Sequence, residues 1–327
     1  MTKNDEYIVD IIDYGMDGEG IAKIDNITVF IQGALKNEKC KIHITKVLTN
    51  YAYAKVVEII DKSSKRAEID CKTYPRCGGC LLRHISYDET LRIKKQRVQN
   101  LVNKMLENAN EIKVEGTIGM EEPIFYRNKA IYPISNDGKV GIYAKRSHEV
   151  IPFEECKIQT KISQEISKYI MQNWKDTIYD EYTQKGLLRN IMLREGFATN
   201  EIMVVLVQNG EDNIVNKAES VSTCDTSTKI KLKSFDVDKL LEKFPQIKTV
   251  VVNINTENTN VILSNKNITI YGNGCITDIL CGYKFNISSN SFYQVNHTQT
   301  EKLYSLAIEK AKLTNDDILC DLYCGIG

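Results

Sequence analysis

The sequence predicts a multidomain protein of mixed α+β and α/β class. It would hold an antiparallel β-barrel, a central α+β region and the start of a parallel sheet. In the first 61 residues, short β-branched or aromatic segments alternate with turn residues. The middle of the chain mixes helical and extended patterns, and the tail places a helix, an apolar strand and a Gly-x-Gly turn in succession. The length of 327 residues suits two or three domains.

The composition excludes several other classes of protein. Lys plus Arg and Asp plus Glu each total 43, and 42% of residues are hydrophobic, which excludes wholesale disorder. No apolar run approaches the ~20 residues of a membrane span, and the charged N-terminus lacks a secretion signal. Ten cysteines are too few for a secreted disulfide scaffold. We therefore expect a cytoplasmic monomer with no membrane partner.

Residues 1–61 predict a small barrel of OB type. The expected strands are Tyr7–Ile12, Ile27–Ile31, Cys40–Val47 and Tyr51–Ile60. A G-x-x-G-x-G run spans residues 15–20, but a strand-like segment follows it where a phosphate-binding loop requires a helix. Nucleotide binding by this glycine run is therefore not expected.

Residues 62–282 predict the central α+β domain. A helix over 86–107 begins with a capping box, in which Ser86 and Glu89 each satisfy a backbone N–H. A second helix is expected near 161–174. The expected extended elements are a hairpin of Tyr126–Pro133 with Val140–Ala144, a hairpin of Leu187–Glu195 with Ile202–Val207, and a strand–loop–strand over Asn253–Asn267.

Residues 283–327 predict the incomplete start of a nucleotide-binding domain. Asn296 can cap a helix, and the apolar run Ile318–Tyr323 reads as a buried strand before a glycine turn that ends at Gly327. One such strand lacks the neighbours that bury both faces of a parallel sheet. We therefore expect this region to be poorly packed, with Leu319, Leu322 and Tyr323 exposing apolar surface.

Positive charge is concentrated in residues 62–104, which hold eleven Lys or Arg and four acids. Such an excess attracts a polyphosphate backbone through ion pairing and counterion release. A solvated helix face would alone explain the charges from Arg92 to Arg97. Because the excess surrounds a cysteine cluster, the sequence favours nucleic-acid binding.

The cysteine cluster has the spacing Cys71-x5-Cys77-x2-Cys80. Two glycines between the last two cysteines let the sulfurs converge, and thiolates are ligands of both zinc and iron–sulfur clusters. The second Cys-x-x-Cys pair typical of a zinc site is missing, so a remote cysteine must complete the set. Our choice is Cys156, and Cys40 is the alternative. Unrelated reduced thiols are the remaining interpretation.

Taken in order, these segments resemble the bacterial 23S rRNA uracil-5-methyltransferases. The cysteine motif is similar to that family's cluster motif, and residues 1–61 are similar to the TRAM domain, a small RNA-binding barrel. Four further segments match the family's central β region, its cofactor segment and its first cofactor-binding motif; they are Tyr126–Lys129, Leu188–Arg194, Ser291–Asn296 and Asp321–Gly327. The resemblance covers all 327 residues.

The resemblance implies cofactors and partners. It implies a [4Fe–4S] cluster on Cys71, Cys77, Cys80 and Cys156. It implies S-adenosyl-L-methionine as methyl donor and 23S rRNA as substrate, with a tRNA as the alternative. The residues implied to bind S-adenosylmethionine are Gln294, Tyr323, Gly325 and Gly327, in a methyltransferase domain of Rossmann-like fold. A non-catalytic iron–sulfur RNA-binding module is the competing class.

The implied reaction needs residues that this chain does not present. C5 of uridine is a poor nucleophile, so in the family a cysteine thiolate adds to C6 and a glutamate later removes the C5 proton. The family's nucleophile follows a Pro-Pro-Arg motif, whereas this chain has five prolines and no Pro-Pro pair. We expect both groups beyond Gly327, no catalytic residue within residues 1–327, and no methyl transfer by this truncated chain alone.

The remaining cysteines and histidines receive no catalytic assignment from the sequence. The cysteines read as ordinary thiols are Cys224, Cys275, Cys281, Cys320 and Cys324, with Cys320 expected in a strand core. His84, His148 and His297 are expected at the surface or facing RNA.

Overall fold

The computed structural model describes residues 1–106, 111–216 and 230–322. The chain divides into two compact units, residues 1–121 and 122–327. None of the helices in these described ranges is long and apolar enough to cross a membrane. The domain boundaries expected at 61/62 and 282/283 stay predictions.

Six strands of residues 1–121 form one sheet, in the order β1-β5-β6-β4-β3-β2. They are β1 (Glu6–Asp10), β2 (Asp13–Tyr14), β3 (Gly20–Ile24), β4 (Ile27–Gln32), β5 (Lys39–Val47) and β6 (Tyr51–Asp61). The four predicted strands are confirmed, and β3 is the strand expected after the glycine run. Neighbours pair antiparallel except β4 and β6, which pair parallel.

Alternate residues of these strands form a single core. In β5 the buried side chains are Cys40, Ile42 and Ile44, and in β6 they are Ala52 and Ala54. This period of two places one face of each strand in the core, and a slip of one residue would expose it. The apolar alternation therefore fixes the register, while the assignment to an OB-type barrel stays a prediction.

A buried ion pair connects this sheet to the segment that follows it. The Arg66 guanidinium donates to both carboxylate oxygens of Glu38, at 2.7 Å each, and to the Gly33 carbonyl at 2.6 Å. The Glu38 carboxylate also accepts from the backbone N–H of Leu35 at 2.9 Å. Burial raises the pKa of Glu38, but hydrogen bonds from Arg66 and Leu35 outweigh it, so the pKa lies below 4.5.

Helix α1 (Tyr87–Met105) confirms the first predicted helix, but not its capping box. The Ser86 hydroxyl donates to Asp88 Oδ1 at 2.5 Å instead of capping a backbone N–H. The charged partner is the better acceptor, which explains the difference. The apolar side chains of Val98, Leu101 and Met105 are exposed in this unit.

Residues 122–327 are built on a five-stranded sheet in the order β15-β14-β11-β10-β7. The strands of this unit are β7 (Lys129–Pro133), β8 (Gly141–Tyr143), β9 (Val150–Pro152), β10 (Leu188–Gly196), β11 (Glu201–Gln208), β12 (Ile214–Asn216), β13 (Ile230–Leu232), β14 (Ile247–Ile254), β15 (Asn267–Tyr271), β16 (Cys275–Leu280) and β17 (Tyr283–Ser288). The helices are α2 (Lys161–Asn173), α3 (Val237–Lys243) and α4 (His297–Ala311). The second predicted helix and the β10–β11 hairpin are confirmed.

The first predicted hairpin of this unit is wrong in its pairing. Strand β7 pairs with β10, β8 pairs with β9, and only an isolated Ile134–Val140 bridge connects the two expected arms. The large sheet buries Ala130 and Tyr132 of β7 to at most 3% exposure. A two-stranded hairpin could not supply that burial, so β7 joins the sheet.

The tail departs from the prediction in two respects. Its first part is packed rather than loose, since Ile287 is 2% exposed and belongs to a core cluster, and the expected strand does not form. Asn296 caps α4 as expected, since its side chain accepts from the Gln299 N–H at 3.1 Å. Residues 318–321 form no strand, and Cys320 is exposed rather than in a core. No strand of the described ranges pairs with this segment, which leaves Leu319 and Leu322 exposed, as predicted. Tyr323 lies outside the described residues.

We predict that Arg66→Met destabilises the protein by about 3–5 kcal/mol at pH 7, because it leaves the Glu38 charge buried and uncompensated. Urea unfolding measures the loss. Since the pKa of Glu38 is lowered in the folded state, the stability it contributes with Arg66 is present above pH 4.5. That stability is lost as the pH falls through the folded-state value, so the deficit of the variant should narrow on acidification.

Lys65→Met is the matched control, since Lys65 pairs with Asp88 and both side chains are largely exposed. Its free energy of unfolding should be close to that of the wild type. Equal losses in the two variants would contradict a special contribution from the buried pair.

Candidate functional site

The cysteine motif lies in a closed loop, residues 62–86, which we call the cysteine loop. Its ends are joined by Ser86 N–H to the Lys65 carbonyl at 2.8 Å and Ala67 N–H to the His84 carbonyl at 3.0 Å. Tyr74 donates its hydroxyl to the Leu81 carbonyl at 2.7 Å and lies 2.5 Å from His84 Nδ1. His84 is 4% exposed, so its expected surface position is wrong: it packs inside the loop.

Within the cysteine loop the thiols do not form a preorganised metal site. Cys77 is buried, and Cys71 and Cys80 are half-buried. The Gly79 N–H points at Cys77 Sγ at 3.3 Å, and Cys71 Sγ lies 3.3 Å from the Thr73 hydroxyl. Over the described ranges, no group of three or more His, Cys, Asp or Glu is arranged to hold a metal ion. The three thiols are of the type that binds an iron–sulfur cluster, although they are not gathered into a preformed site.

The two candidates for a fourth thiol ligand differ in environment. Cys156 belongs to the unit of residues 122–327, where it is buried and its backbone N–H and C=O both bond the Gln164 amide, at 2.7 and 2.8 Å. Cys40 lies in the sheet core at 0% exposure. Burial and the nearby Glu38 carboxylate raise the pKa of Cys40 to about 11, which disfavours the thiolate.

Much of the charge in residues 62–104 is neutralised locally. Its ion pairs are Arg66–Glu38, Arg83–Asp70, Lys65–Asp88 and Arg92–Glu89. Arg97 donates to the Met16 carbonyl at 2.9 Å. Lys94 and Lys95 of α1 have no ion-pair partner among the residues that the structure describes, and Lys94 is exposed. These two lysines therefore give α1 positive charge that is available to a ligand.

The segment Ser291–Asn296 is bound to the large sheet through Asn128, the residue before β7. The Asn128 amide donates to the Gln294 carbonyl at 2.9 Å, and its backbone N–H donates to the Val295 carbonyl at 2.9 Å. The Gln294 side chain itself is exposed. A fixed backbone thus presents the proposed cofactor residue to solvent, while Tyr323, Gly325 and Gly327 lie outside the described residues.

A buried carboxylate supports the same segment from the β16–β17 hairpin. Asp278 is 0% exposed and accepts from the Tyr293 hydroxyl at 3.0 Å and the Ala198 N–H at 2.9 Å. Burial and the Asp278 charge raise the pKa of Tyr293, which keeps the phenol a donor. His297 is buried at 8% exposure with Nε2 2.8 Å from the Ile279 carbonyl, so its expected surface position is wrong.

The end of β10 and the facing start of β7 carry ionisable groups that the sequence did not single out as a site. Burial raises the pKa of Glu195 to about 7, although a hydrogen bond with the Thr160 hydroxyl lowers it. Burial and the charges of Arg194 and Arg127 lower the pKa of Lys129 to about 8. Burial lowers the pKa of Arg194 to about 10. The sequence signal that could have indicated this site is the pair of charged residues, Arg194 and Glu195, directly after the apolar run 191–193.

The remaining cysteines provide no assembled catalytic group in the described ranges. Cys275 and Cys281 are half-buried, and Cys281 N–H donates to Glu301 Oε1 at 3.0 Å within a turn. Cys320 is exposed, and Cys224 and Cys324 lie outside the described residues. The expectation that they are ordinary thiols stays a prediction.

Comparison with known proteins identifies the class. Residues 2–57 match the TRAM domain. An RNA methyltransferase of Clostridium acetobutylicum, itself described as uncharacterized, is 42% identical and is aligned over all of this chain and 69% of its own length. Similarly described RNA methyltransferases of Staphylococcus aureus and Caldanaerobacter subterraneus are 38% and 39% identical, over 70% and 69% of their lengths.

A solved structure shares the fold. The chain is similar to the crystal structure of Pyrococcus abyssi tRNA (uracil-54, C5)-methyltransferase in complex with S-adenosyl-L-homocysteine, with a TM-score of 0.65 and 19% identity. The match covers 92% of this chain and 64% of that one. By its identity to the bacterial relatives over its whole length, the chain belongs to their family of RNA methyltransferases.

Proposed function

We propose that the protein is an S-adenosylmethionine-dependent methyltransferase that forms 5-methyluridine in 23S rRNA in the cytoplasm. Family membership supports RNA methylation, and the motif resemblance supports uridine C5 and the large-subunit rRNA. The observation that carries the proposal is the presentation of Gln294 by Asn128, at the position that the resemblance assigns to the cofactor. S-adenosylmethionine supplies the methyl group when bound.

The chain's own residues contribute binding and positioning to this function. Gln294 would hold the cofactor, and Asp278 and Asn128 keep its segment fixed. A fixed backbone lowers the entropy lost when a ligand is ordered. The thiolate and base of the covalent route are assigned to no described residue.

A tRNA is the second candidate substrate, and a specific observation favours it. The structurally similar Pyrococcus protein is a tRNA (uracil-54, C5)-methyltransferase. The cysteine loop and its resemblance to the rRNA enzymes favour 23S rRNA.

We predict that disrupting the gene removes 5-methyluridine from 23S rRNA and leaves tRNA modification intact. Nucleoside mass spectrometry of the separated RNAs measures both. Restoring the gene with Gln294→Ala should restore less methylation than the wild type, because the cofactor contact is lost. Gln172→Ala, at an exposed position of α2, is the control.

The other possible results of the mass spectrometry distinguish between the remaining hypotheses. Loss confined to tRNA would support the second candidate. An unchanged 5-methyluridine content in both RNAs would contradict uridine C5 methylation by this protein.

We also propose that the Lys94 and Lys95 face of α1 binds RNA backbone. Reversing both to Glu should weaken RNA binding by any sequence and reduce the salt dependence of the affinity, since fewer counterions are released. Fluorescence anisotropy across a salt series measures both quantities. Arg97 stays unchanged because it supports Met16.

The control reverses Lys239 and Lys248, two exposed lysines of residues 122–327, which makes the same change in net charge. If the two double variants change RNA affinity and its salt dependence equally, the α1 lysines form only a solvated face.

The [4Fe–4S] cluster on Cys71, Cys77, Cys80 and Cys156 is proposed on the thiol motif alone. Protein purified without oxygen should contain iron and acid-labile sulfide, and Cys156→Ser should lower the content of both. Cys275→Ser, at a half-buried cysteine outside the motif, is the control. Stoichiometric zinc without sulfide would contradict the cluster, and a full cluster in Cys156→Ser would contradict the fourth ligand.

A further inference from the structure

Two cations face each other across the edge of the large sheet. Lys129 of β7 lies directly opposite Arg194 of β10 in the antiparallel register. Directly opposed residues of paired strands point to the same face, so both side chains emerge on one side of the sheet. Arg127 lies two residues before Lys129, and its charge acts on that lysine together with the charge of Arg194.

The positive charge at this edge is not compensated. Across the described ranges, no carboxylate forms an ion pair with any of the three cations, and no hydrogen bond satisfies the Lys129 ammonium. Arg194 is 3% exposed; it donates to the Ser291 carbonyl, while its buried Nε has no hydrogen-bond partner. A buried charge without partners costs free energy. The lowered pKa of Lys129, about 8, has the same physical origin.

Other buried charged residues of the described ranges have ion-pair or hydrogen-bond partners. Glu38 is paired with Arg66, and Glu89, 3% exposed, is paired with Arg92. Asp278 accepts hydrogen bonds from a phenol and from backbone N–H groups. The edge at Lys129 is therefore an exception to how this chain satisfies its buried charges, and a ligand anion would supply the missing partner.

We propose that Lys129, backed by the buried charge of Arg194, binds one backbone phosphate of the RNA substrate. Lys129 is half-buried, so its ammonium can be reached by a ligand, whereas Arg194 acts through its field and by holding Ser291. Phe292, the next residue, is 79% exposed. Proteins that bind single-stranded nucleic acid combine basic side chains with exposed aromatic rings. The proposal rests on an RNA substrate, as proposed above.

The test compares Lys129→Gln with wild type and with Lys185→Gln, which removes an exposed lysine of the same unit. Binding of a single-stranded RNA oligonucleotide to the full chain is measured by anisotropy over a salt series. We expect Lys129→Gln to weaken binding about tenfold or more, the scale of a lost charged hydrogen bond. The slope of log affinity against log salt should fall by about 0.7, the value for one phosphate contact to a single strand.

Two further measurements separate a lost contact from altered packing. Lys129→Gln should have a higher melting temperature than wild type without RNA, because it removes an uncompensated charge. Lys129→Arg keeps the charge and should retain RNA affinity. Equal weakening by Lys129→Arg and Lys129→Gln would overturn the proposal, as would identical binding by Lys129→Gln and Lys185→Gln.

S-adenosylmethionine binding, measured by calorimetry, should be the same in Lys129→Gln and wild type. If the variant loses affinity for the cofactor and not for RNA, the site holds the cofactor's carboxylate and the phosphate proposal is wrong. The methylation measurements on 23S rRNA and tRNA are independent of this test. If gene disruption removes a different modified base while Lys129→Gln still weakens RNA binding, the proposed function is wrong. The proposed phosphate site would then still be supported.

Discussion

The pairing of β7 with β10 is the constraint on which the candidate site depends. This register places Lys129 opposite Arg194 and sets the preceding residue, Asn128, against the end of β10, where its carbonyl accepts from Glu195 N–H at 2.8 Å. From that position Asn128 holds the Gln294 carbonyl. A slip of one residue would turn Lys129 to the opposite face of the sheet. The apolar alternation of Ala130 and Tyr132, both buried, prevents that slip.

The buried charge of Glu38 and the cations at Lys129 differ in how they are stabilised. In residues 1–121, Glu38 is fully paired, so its removal from water is offset and the cysteine loop is attached firmly to the sheet. In residues 122–327, Lys129 and Arg194 keep charges that no acid of the described ranges pairs. A packed apolar residue at position 129 would cost less in folding. The proposed phosphate would recover that cost on binding.

Sequence patterns predicted the strands and helices that bury one face and whose pattern lies within the element itself. The strands of the first sheet, helices α1 and α2, the β10–β11 hairpin and the Asn296 cap all have a period or a capping residue that is visible in the chain. The partner of β7 could not be predicted, because an apolar strand of five residues can join any sheet edge. The strand predicted over Ile318–Tyr323 does not form in its described part. An apolar pattern alone does not provide a neighbouring strand with which the segment could pair.

The site was harder to predict than the fold. Gln294 is proposed through a motif, but its fixed backbone depends on Asn128, which is 166 residues away in sequence. The uncompensated charge of Lys129 and Arg194 could not be read from the sequence, because composition shows which charges exist and not which of them are paired. His84 and His297 were misplaced for the same reason, since a polar ring is buried when carbonyl or hydroxyl partners are near.

The proposed RNA contact, Lys129, is the direct neighbour of the residue that fixes the segment of the proposed cofactor contact, Gln294. Lys129 would take the phosphate, while Asn128, its neighbour, fixes the Gln294 carbonyl. Arg194 joins the two contacts from the other strand, since it lies opposite Lys129 and donates to Ser291, three residues before Gln294. A phosphate that draws Lys129 outward would act on a strand whose register is fixed by buried side chains, so the backbone would resist displacement. The distance between the bound phosphate and the cofactor residue would then be set by the sheet, whichever RNA sequence is bound.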